Sequence, residues 1–263
     1  MDMQETRNEL RIERSGPVLR LTIDRPHRRN ALTDALMATL AEVIATASAD
    51  TTLRVIVITG AGDKAFCAGA DLTPGDTPFK PKVTQMQTPM GRLARAVHDC
   101  GVPIVGRING LCLAGGMGIF GLCDIAIASE DAKFGMPEVR IGLYPMQILT
   151  MLRDLIPPRF MNEMCMTGKP IDARTAFSIG LLNRVVPAAE LDRTVDEMVA
   201  DLCAVSPIAI RRGKYAQRAV ASMGFHEMMS FTETALVPMI QTEDAREGRA
   251  AFNERRPPNW TGR

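Results

Sequence analysis

The sequence predicts an α/β core followed by a helical C-terminal region. Three runs rich in β-branched and aliphatic residues, at positions 54–59, 102–105 and 124–128, are typical of buried strands of a sheet. Helical patterns separate these runs, whereas the last part of the chain shows helical patterns without strands between them. We therefore predict a core over residues 1–190 and a helical region over residues 191–263.

The first predicted elements are a pair of strands and a helix. Residues 10–12 and 18–23 are separated by the turn sequence SGP at 15–17, which indicates a hairpin-like pair. Residues 33–34 (TD) offer side-chain oxygens that can cap a helix, and apolar side chains recur at helical spacing over residues 36–47. One face of this helix is therefore expected to lie in the core.

Two stretches of small residues follow strands in the middle of the chain. Residues 60–72 (GAGDKAFCAGADL) come after the first β-branched run, and residues 109–116 (NGLCLAGG) come after the second. Small side chains leave backbone N–H groups accessible at strand ends, as a site needs if it must hold a carbonyl oxygen that becomes negative. We expect the two stretches to face each other across one pocket, with a helix after Gly115 and Gly116 that runs to about Leu122.

A stiff connection follows the third strand. Pro137 fixes its own backbone dihedral and pushes Met136 toward extended geometry, so Glu138 is expected to be held beside apolar neighbours. A loop is predicted around Pro74, Gly75, Pro78 and Pro81, before a helix at 90–100. The remaining predicted elements are helices at 149–156, 160–166, 172–179, 190–205, 208–221, 227–241 and 243–254, and a strand at 182–186.

Composition disfavours several classes of partner. The chain has 263 residues, 46% of them hydrophobic, and a formal net charge of +1, which favours neither nucleic acid nor a membrane surface as partner. Six cysteines without CxxC spacing and only three histidines predict reduced thiols and no metal site. The first residues lack the apolar segment of a secretory signal, and no apolar run reaches membrane-spanning length. We therefore expect a cytoplasmic protein.

Three motifs resemble a known family. AFCAGADL (65–72), INGLCLAGG (108–116) and FGMPEVRIGL (134–143) are similar, in order and spacing, to the central motifs of the enoyl-CoA hydratase/isomerase (crotonase) superfamily. The resemblance covers nearly the whole chain. It implies a spiral core of repeated ββα turns, a helical C-terminal trimerisation region and an acyl-CoA thioester substrate. No separate cofactor is implied, since coenzyme A is part of the substrate.

The resemblance also implies roles for particular residues. The N–H groups of Ala70 and Gly115 would stabilise the thioester oxygen, and Glu138 would move a proton. The residues that it places at coenzyme A are His27, Arg28, Arg29, Ala68, Asp71, Phe252 and Arg255. Phe252 and Arg255 would reach CoA from the C-terminal helix, and the CoA could be bound to a neighbouring subunit. The resemblance implies a trimer or a dimer of trimers. On charge alone, residues 27–29 equally fit a solvated turn, and the C-terminal segment fits an ordinary charged helix.

The match departs from the family pattern at two places, residue 118 and residues 144–148 (YPMQI), which stand where the family usually has a glycine-rich turn. Hydratases of the family carry a first glutamate where this chain has Gly118, so Glu138 stands alone. One glutamate favours moving a double bond between the 3 and 2 positions of an enoyl-CoA, and water addition by an enoyl-CoA hydratase is the close alternative. Two other classes are a non-catalytic acyl-CoA-binding protein and a hydrolase with Cys67 as nucleophile. The hydrolase is disfavoured because no histidine lies in a matching motif.

Overall fold

The computed structural model describes residues 9–73 and 84–263, and it folds them into two sheets and surrounding helices. The strands are β1 Leu10–Ser15, β2 Val18–Ile23, β3 Val55–Gly60, β4 Ala65–Cys67, β5 Ile104–Ile108, β6 Leu111–Leu113, β7 Ile125–Ser129, β8 Lys133–Gly135, β9 Ile171–Asp172 and β10 Arg184–Val186. The helices are α1 Asp34–Ala49, α2 Pro89–Asp99, α3 Gly115–Gly121, α4 Met146–Leu152, α5 Pro158–Thr167, α6 Ala173–Ser178, α7 Leu191–Cys203, α8 Pro207–Val220, α9 Phe225–Ile240 and α10 Glu243–Glu254. Short 3₁₀ turns occur at Pro26–Arg28, Pro137–Ile141 and Ala188–Glu190.

The larger sheet has six strands in the order β1-β2-β3-β5-β7-β10. The predicted hairpin is confirmed, because β1 pairs antiparallel with β2 and Ser15 lies opposite Val18. Every other neighbouring pair in this sheet is parallel. The carboxyl ends of β3, β5 and β7 therefore lie along one edge, which is where ligands bind in open α/β sheets.

The smaller sheet has four strands in the order β4-β6-β8-β9. Strands β4, β6 and β8 are parallel, and β9 pairs antiparallel with β8. The two small-residue stretches contain β4 and β6, so they form adjacent strands rather than two loops. The sequence did not predict these strands, because three residues are too few to show a period.

Helix α1 shows how local sequence signals define an element. The Thr33 side chain accepts a hydrogen bond from the N–H of Leu36 and caps the helix, as predicted. Leu36, Leu40 and Ile44 recur at helical spacing and are fully or almost fully buried. They join one large apolar cluster that includes Ile56 and residues of both sheets.

The other face of the larger sheet carries a second apolar cluster. Side chains alternate along β3, so Val55 and Val57 point away from the first cluster and pack with Leu191 and Val195 of α7. The boundary near residue 190 stays a prediction, but α7 lies beyond it and packs with the core, whereas the later helices add no residue to this cluster.

Basic side chains hold α8 against one edge of the core. Arg211 donates to the carbonyl of Ser48 at 2.7 Å, and Lys214 donates to the carbonyl of Val102 at 2.8 Å and to Asp124 at 2.5 Å. These acceptors precede β3, β5 and β7. Helix α8 is therefore attached at the amino-terminal ends of the parallel strands, which is the edge opposite their carboxyl ends.

The predicted α/β core and helical C-terminal region are confirmed. Helix α4 begins and ends earlier than predicted, at Met146–Leu152 instead of 149–156, because Pro145 is tolerated at a helix start. The predicted loop around Pro74, Gly75, Pro78 and Pro81 lies outside the described residues. In the described part of the chain, no helix combines the length and apolar character needed to span a bilayer.

Candidate active site

The segment after β4 is held by Leu32. The N–H of Leu32 donates to the carbonyl of Gly69 at 2.7 Å, and the carbonyl of Leu32 accepts from the N–H of Asp71 at 2.9 Å. Ala70 is thereby bracketed in a parallel bridge with Leu32. In such a bridge the middle residue directs its own N–H away from the partner, so the Ala70 N–H points away from Leu32.

Gly69 brings this segment against the start of α3. Its φ of +104° favours glycine, and a Cβ added there would lie 2.7 Å from the Cβ of Ala114 and 3.3 Å from the nitrogen of Gly115. Only glycine permits this close approach. The two small-residue stretches therefore meet at the predicted place.

Ala114 adopts strained backbone geometry just before the helix, with φ 49° and ψ −120°. Its N–H donates to the carbonyl of Gly135 at 2.9 Å, and its carbonyl accepts from the N–H of Met117 at 2.9 Å. These bonds fix the direction of the next peptide group. No hydrogen bond within residues 9–73 and 84–263 uses the N–H of Ala70 or Gly115. The site thus contains two backbone donors available for an oxygen.

Glu138 lies in the 3₁₀ turn that follows β8, three positions after the residue bonded to Ala114. The side chain is partly buried, and its Oε2 atom is buried without a hydrogen-bond partner in the described part of the chain. Burial raises the pKa of this carboxyl above its ordinary value. The nearby thiol of Cys165 lies 3.7 Å from the Met136 sulfur, and its pKa is raised first by burial and further by the charge of Glu138. Glu138 is thus a carboxyl group in a poorly solvated, sulfur-rich environment.

The position of the missing glutamate is enclosed by apolar side chains. A Cβ added to Gly118 would lie 3.0 Å from Cδ1 of Ile148, 3.2 Å from Sδ of Met151 and 3.5 Å from Sδ of Met90. The nearest neighbours of this position are therefore a hydrocarbon chain and two thioethers. None of them supplies a carboxylate.

The residues predicted to contact CoA phosphates lie close to this site. His27, Arg28 and Arg29 are exposed, and the carbonyl of Arg29 accepts a hydrogen bond of 3.0 Å from the N–H of Ala68. The basic turn and the segment from Ala68 to Asp71, which is also predicted to contact CoA, are thus adjacent. Asn30 holds them together, because its buried amide donates to the carbonyl of Ala65 at 2.7 Å.

The carboxylate of Asp71 is engaged inside the protein. It accepts hydrogen bonds from Thr73, which together with a 2.8 Å ion pair to Arg25 lower its pKa to about 2. Both partners of the ion pair have side chains only 8% exposed. The carboxylate of Asp71 is therefore already occupied by partners inside the protein, and the predicted contact with CoA would have to use its backbone. The structural roles of Arg25 and Asn30 were not predicted, since a sequence does not show which distant backbone groups a side chain will reach.

Phe252 and Arg255 lie apart from the other predicted residues. Both are exposed, Phe252 at 83%. Phe252 lies in α10 and Arg255 directly follows it, and this helix is fixed through Asp244, which accepts from the N–H of Thr261. Arg54, which precedes β3, ties the C-terminal tail by donating to the carbonyl of Trp260 at 3.2 Å. Their attachment is thus at the amino-terminal edge of the strands, opposite the site.

The structure argues against a cysteine nucleophile. Cys67 is fully buried, and burial raises the pKa of its thiol to about 12, so the thiolate is not accessible at neutral pH. His98 is exposed near the end of α2, and its backbone carbonyl accepts a hydrogen bond from Arg218. It therefore lies at the amino-terminal edge of the sheet, away from the site. Within residues 9–73 and 84–263, no group of three or more candidate ligands is placed to hold a metal ion.

Known proteins are similar to this chain in sequence and in fold. A sequence model of the enoyl-CoA hydratase/isomerase family matches residues 13–263. Carnitinyl-CoA dehydratase from Salmonella typhi is 32% identical over 259 residues, which are 97% of this chain and 98% of that protein. The enoyl-CoA hydratase of Mycobacterium smegmatis superposes with a TM-score of 0.90 at 29% identity, covering 96% of this chain and 98% of that one. The enoyl-CoA hydratase of Bacillus anthracis gives a TM-score of 0.89 at 29% identity, covering 97% and 100%.

The family match extends over all three motifs that form the site. It therefore confirms the resemblance drawn from residues 65–72, 108–116 and 134–143. The fold neighbours likewise confirm the crotonase-like architecture. This chain belongs to the enoyl-CoA hydratase/isomerase family of enzymes.

Proposed function

We propose that this enzyme moves a double bond between the 3 and 2 positions of an enoyl-CoA thioester, with Glu138 as its acid/base group. The observation that carries the proposal is the contrast between two positions. Gly118 is enclosed by Ile148, Met151 and Met90, whereas Glu138 has a buried oxygen with no hydrogen-bond partner among the described residues. Water addition requires a water molecule held against the β carbon, and these apolar side chains offer it no strong hydrogen-bond partner.

The proposed reaction uses one carboxylate twice. Glu138 removes a proton from C2 of a 3-enoyl thioester, and the C–H electron pair moves into the thioester and places negative charge on its oxygen. The N–H groups of Ala70 and Gly115 hold that oxygen. The protonated Glu138 then returns the proton to C4, and the double bond forms between C2 and C3. Poor solvation makes Glu138 a stronger base than an ordinary carboxylate.

The products distinguish the candidate activities. Incubation with 3-enoyl-, 2-enoyl- and 3-hydroxyacyl-CoA should yield isomerised product faster than hydrated product, identified by mass and retention time. Glu138→Gln keeps the shape and removes the base, so isomerisation should fall by about 10²-fold or more. A substrate deuterated at C2 should carry part of its label to C4, because one group moves the proton. Rapid hydration without isomerisation would contradict the proposal.

Hydration or dehydration of an enoyl-CoA is the second candidate. It is favoured by the names of the relatives, which include a carnitinyl-CoA dehydratase and enoyl-CoA hydratases. If this activity dominates, a group other than residue 118 must hold the water. If enoyl-CoA binds and no product forms, the protein is an acyl-CoA binder instead.

We further propose how CoA and other copies of the chain contact the enzyme. Residues 27–29 are exposed and basic beside the site, as a phosphate contact requires. None of the 16 residues of α9 is buried, and Phe225 and Leu236 are 70% and 57% exposed. This apolar surface supports a trimer or a dimer of trimers. A cytoplasmic location remains a prediction.

A further inference from the structure

Arg25 is the most heavily engaged buried cation near the site. Its Nε donates to Glu9 at 2.7 Å, its Nη1 to the carbonyl of Ala31 at 2.5 Å and its Nη2 to Asp71 at 2.8 Å. The side chain is 8% exposed. A guanidinium with each nitrogen bonded to a different segment is held in one orientation, and it holds those segments in turn.

The segments that Arg25 joins are those that direct the Ala70 N–H. Ala31 precedes Leu32, which brackets Ala70 through hydrogen bonds to its neighbours Gly69 and Asp71. Arg25 binds the chain on both sides of that bridge, at Ala31 and at the Asp71 side chain. The bridge therefore cannot shift without stretching a charge-assisted hydrogen bond.

We propose that Arg25, paired with Asp71, is a positioning residue that sets the direction of the Ala70 N–H toward the thioester oxygen. This inference rests on the proposed role of that N–H as an oxyanion donor. Misplacement of a donor by a fraction of an ångström weakens its bond to the charge that develops during reaction. Loss of the ion pair should therefore lower kcat more than it changes KM.

The test uses two variants that disrupt the ion pair between Arg25 and Asp71. Asp71→Asn keeps the size of the side chain and removes its charge, and Arg25→Lys keeps the charge and removes the forked guanidinium. We expect kcat to fall by about 10- to 100-fold with a smaller change in KM, since the misdirected donor matters most for the charge that develops during reaction. In the wild type, the infrared carbonyl stretch of a bound, unreactive saturated acyl-CoA should shift to lower frequency. In both variants this shift should be smaller. The carbonyl measurement needs no turnover, so it distinguishes failure of this inference from failure of the proposed reaction.

A second buried ion pair provides the matched control. Lys214 and Asp124 are paired at 2.5 Å, with the lysine 8% exposed, but they lie at the amino-terminal edge of the sheet. Lys214→Met should lower Tm and leave both kcat and the carbonyl shift unchanged. Two results would overturn the inference. One is an unchanged carbonyl shift in a folded Asp71→Asn, and the other is an equal change in Lys214→Met.

Discussion

The carboxyl group of Glu138, which we propose as the acid/base group, is poorly solvated. Its buried oxygen has no hydrogen-bond partner in the part of the chain that the structure describes, and burial raises its pKa. A carboxylate in this setting is destabilising when charged and is a better base for the same reason. Stability and reactivity at this residue are therefore expected to oppose each other.

Glu138→Gln should stabilise the protein at neutral pH. Because its pKa is raised on folding, the folded state binds this proton more tightly than the unfolded state. Unfolding free energy is therefore lost as pH rises from the unfolded value, about 4.3, through the folded value, and the loss persists above it. The variant should show a higher Tm than wild type at pH 7 and an equal Tm near pH 4.

The control for this prediction is Glu163→Gln, which changes an exposed carboxylate on α5. It should leave the difference in Tm between pH 4 and pH 7 as in wild type. In activity assays, kcat/KM should fall as pH is lowered, and the apparent pKa of this fall should be higher than the ordinary pKa of glutamate. An unaltered Tm in Glu138→Gln across this range would show that the carboxylate is better solvated than the structure indicates.

The helices α3 and α4 decide which side chains lie at the position of the missing glutamate. Helix α3 has seven residues and presents Gly118, while α4 supplies Ile148 and Met151 against it. The space that a carboxylate would need is occupied by flexible side-chain ends. Helix α4 begins at Met146, earlier than its apolar pattern indicates, and this places Ile148 within the helix.

Installing a carboxylate therefore requires space as well as the acid. Gly118→Glu alone should bind and turn over substrate poorly, because its Cβ would lie 3.0 Å from Ile148. The double variant Gly118→Glu with Ile148→Ala should gain hydration of 2-enoyl-CoA relative to either single variant. The measurement is 3-hydroxyacyl-CoA formed per minute, with Ile148→Ala as the matched control. No gain in a folded double variant would show that water is excluded by other groups.

At the scale of the whole molecule, the site and the C-terminal helices lie at opposite edges of the sheet. Arg211 and Lys214 attach α8 before β3 and β5, whereas the site follows the carboxyl ends of the strands. Arg255 and Phe252 would therefore reach a CoA molecule bound to another copy of the chain. The CoA contact and the oligomer are therefore linked predictions.

Arg255→Ala should weaken CoA binding only in the oligomer. We expect a roughly tenfold higher Kd for CoA, since one charge-assisted hydrogen bond is lost. Arg256→Ala is the control, because Arg256 pairs with Glu247 at 2.6 Å and should affect Tm rather than CoA affinity. Light scattering at micromolar concentration should give the mass of a trimer or hexamer. A monomer with unchanged CoA affinity in Arg255→Ala would remove both predictions.

The sequence by itself determined the family, the α/β core and the two segments that form the candidate site. The family follows from the resemblance of the three motifs at 65–72, 108–116 and 134–143. The core and the two segments follow from local signals, such as β-branched runs, the Thr33 cap and small residues after strands, that need no knowledge of distant contacts. Only the tertiary structure decided that Arg25 is bonded to three separate segments and that apolar side chains enclose Gly118. It also decided that β4 and β6 pair side by side. These features depend on residues far apart in the chain, and their energies arise only when packing removes water from the groups in contact.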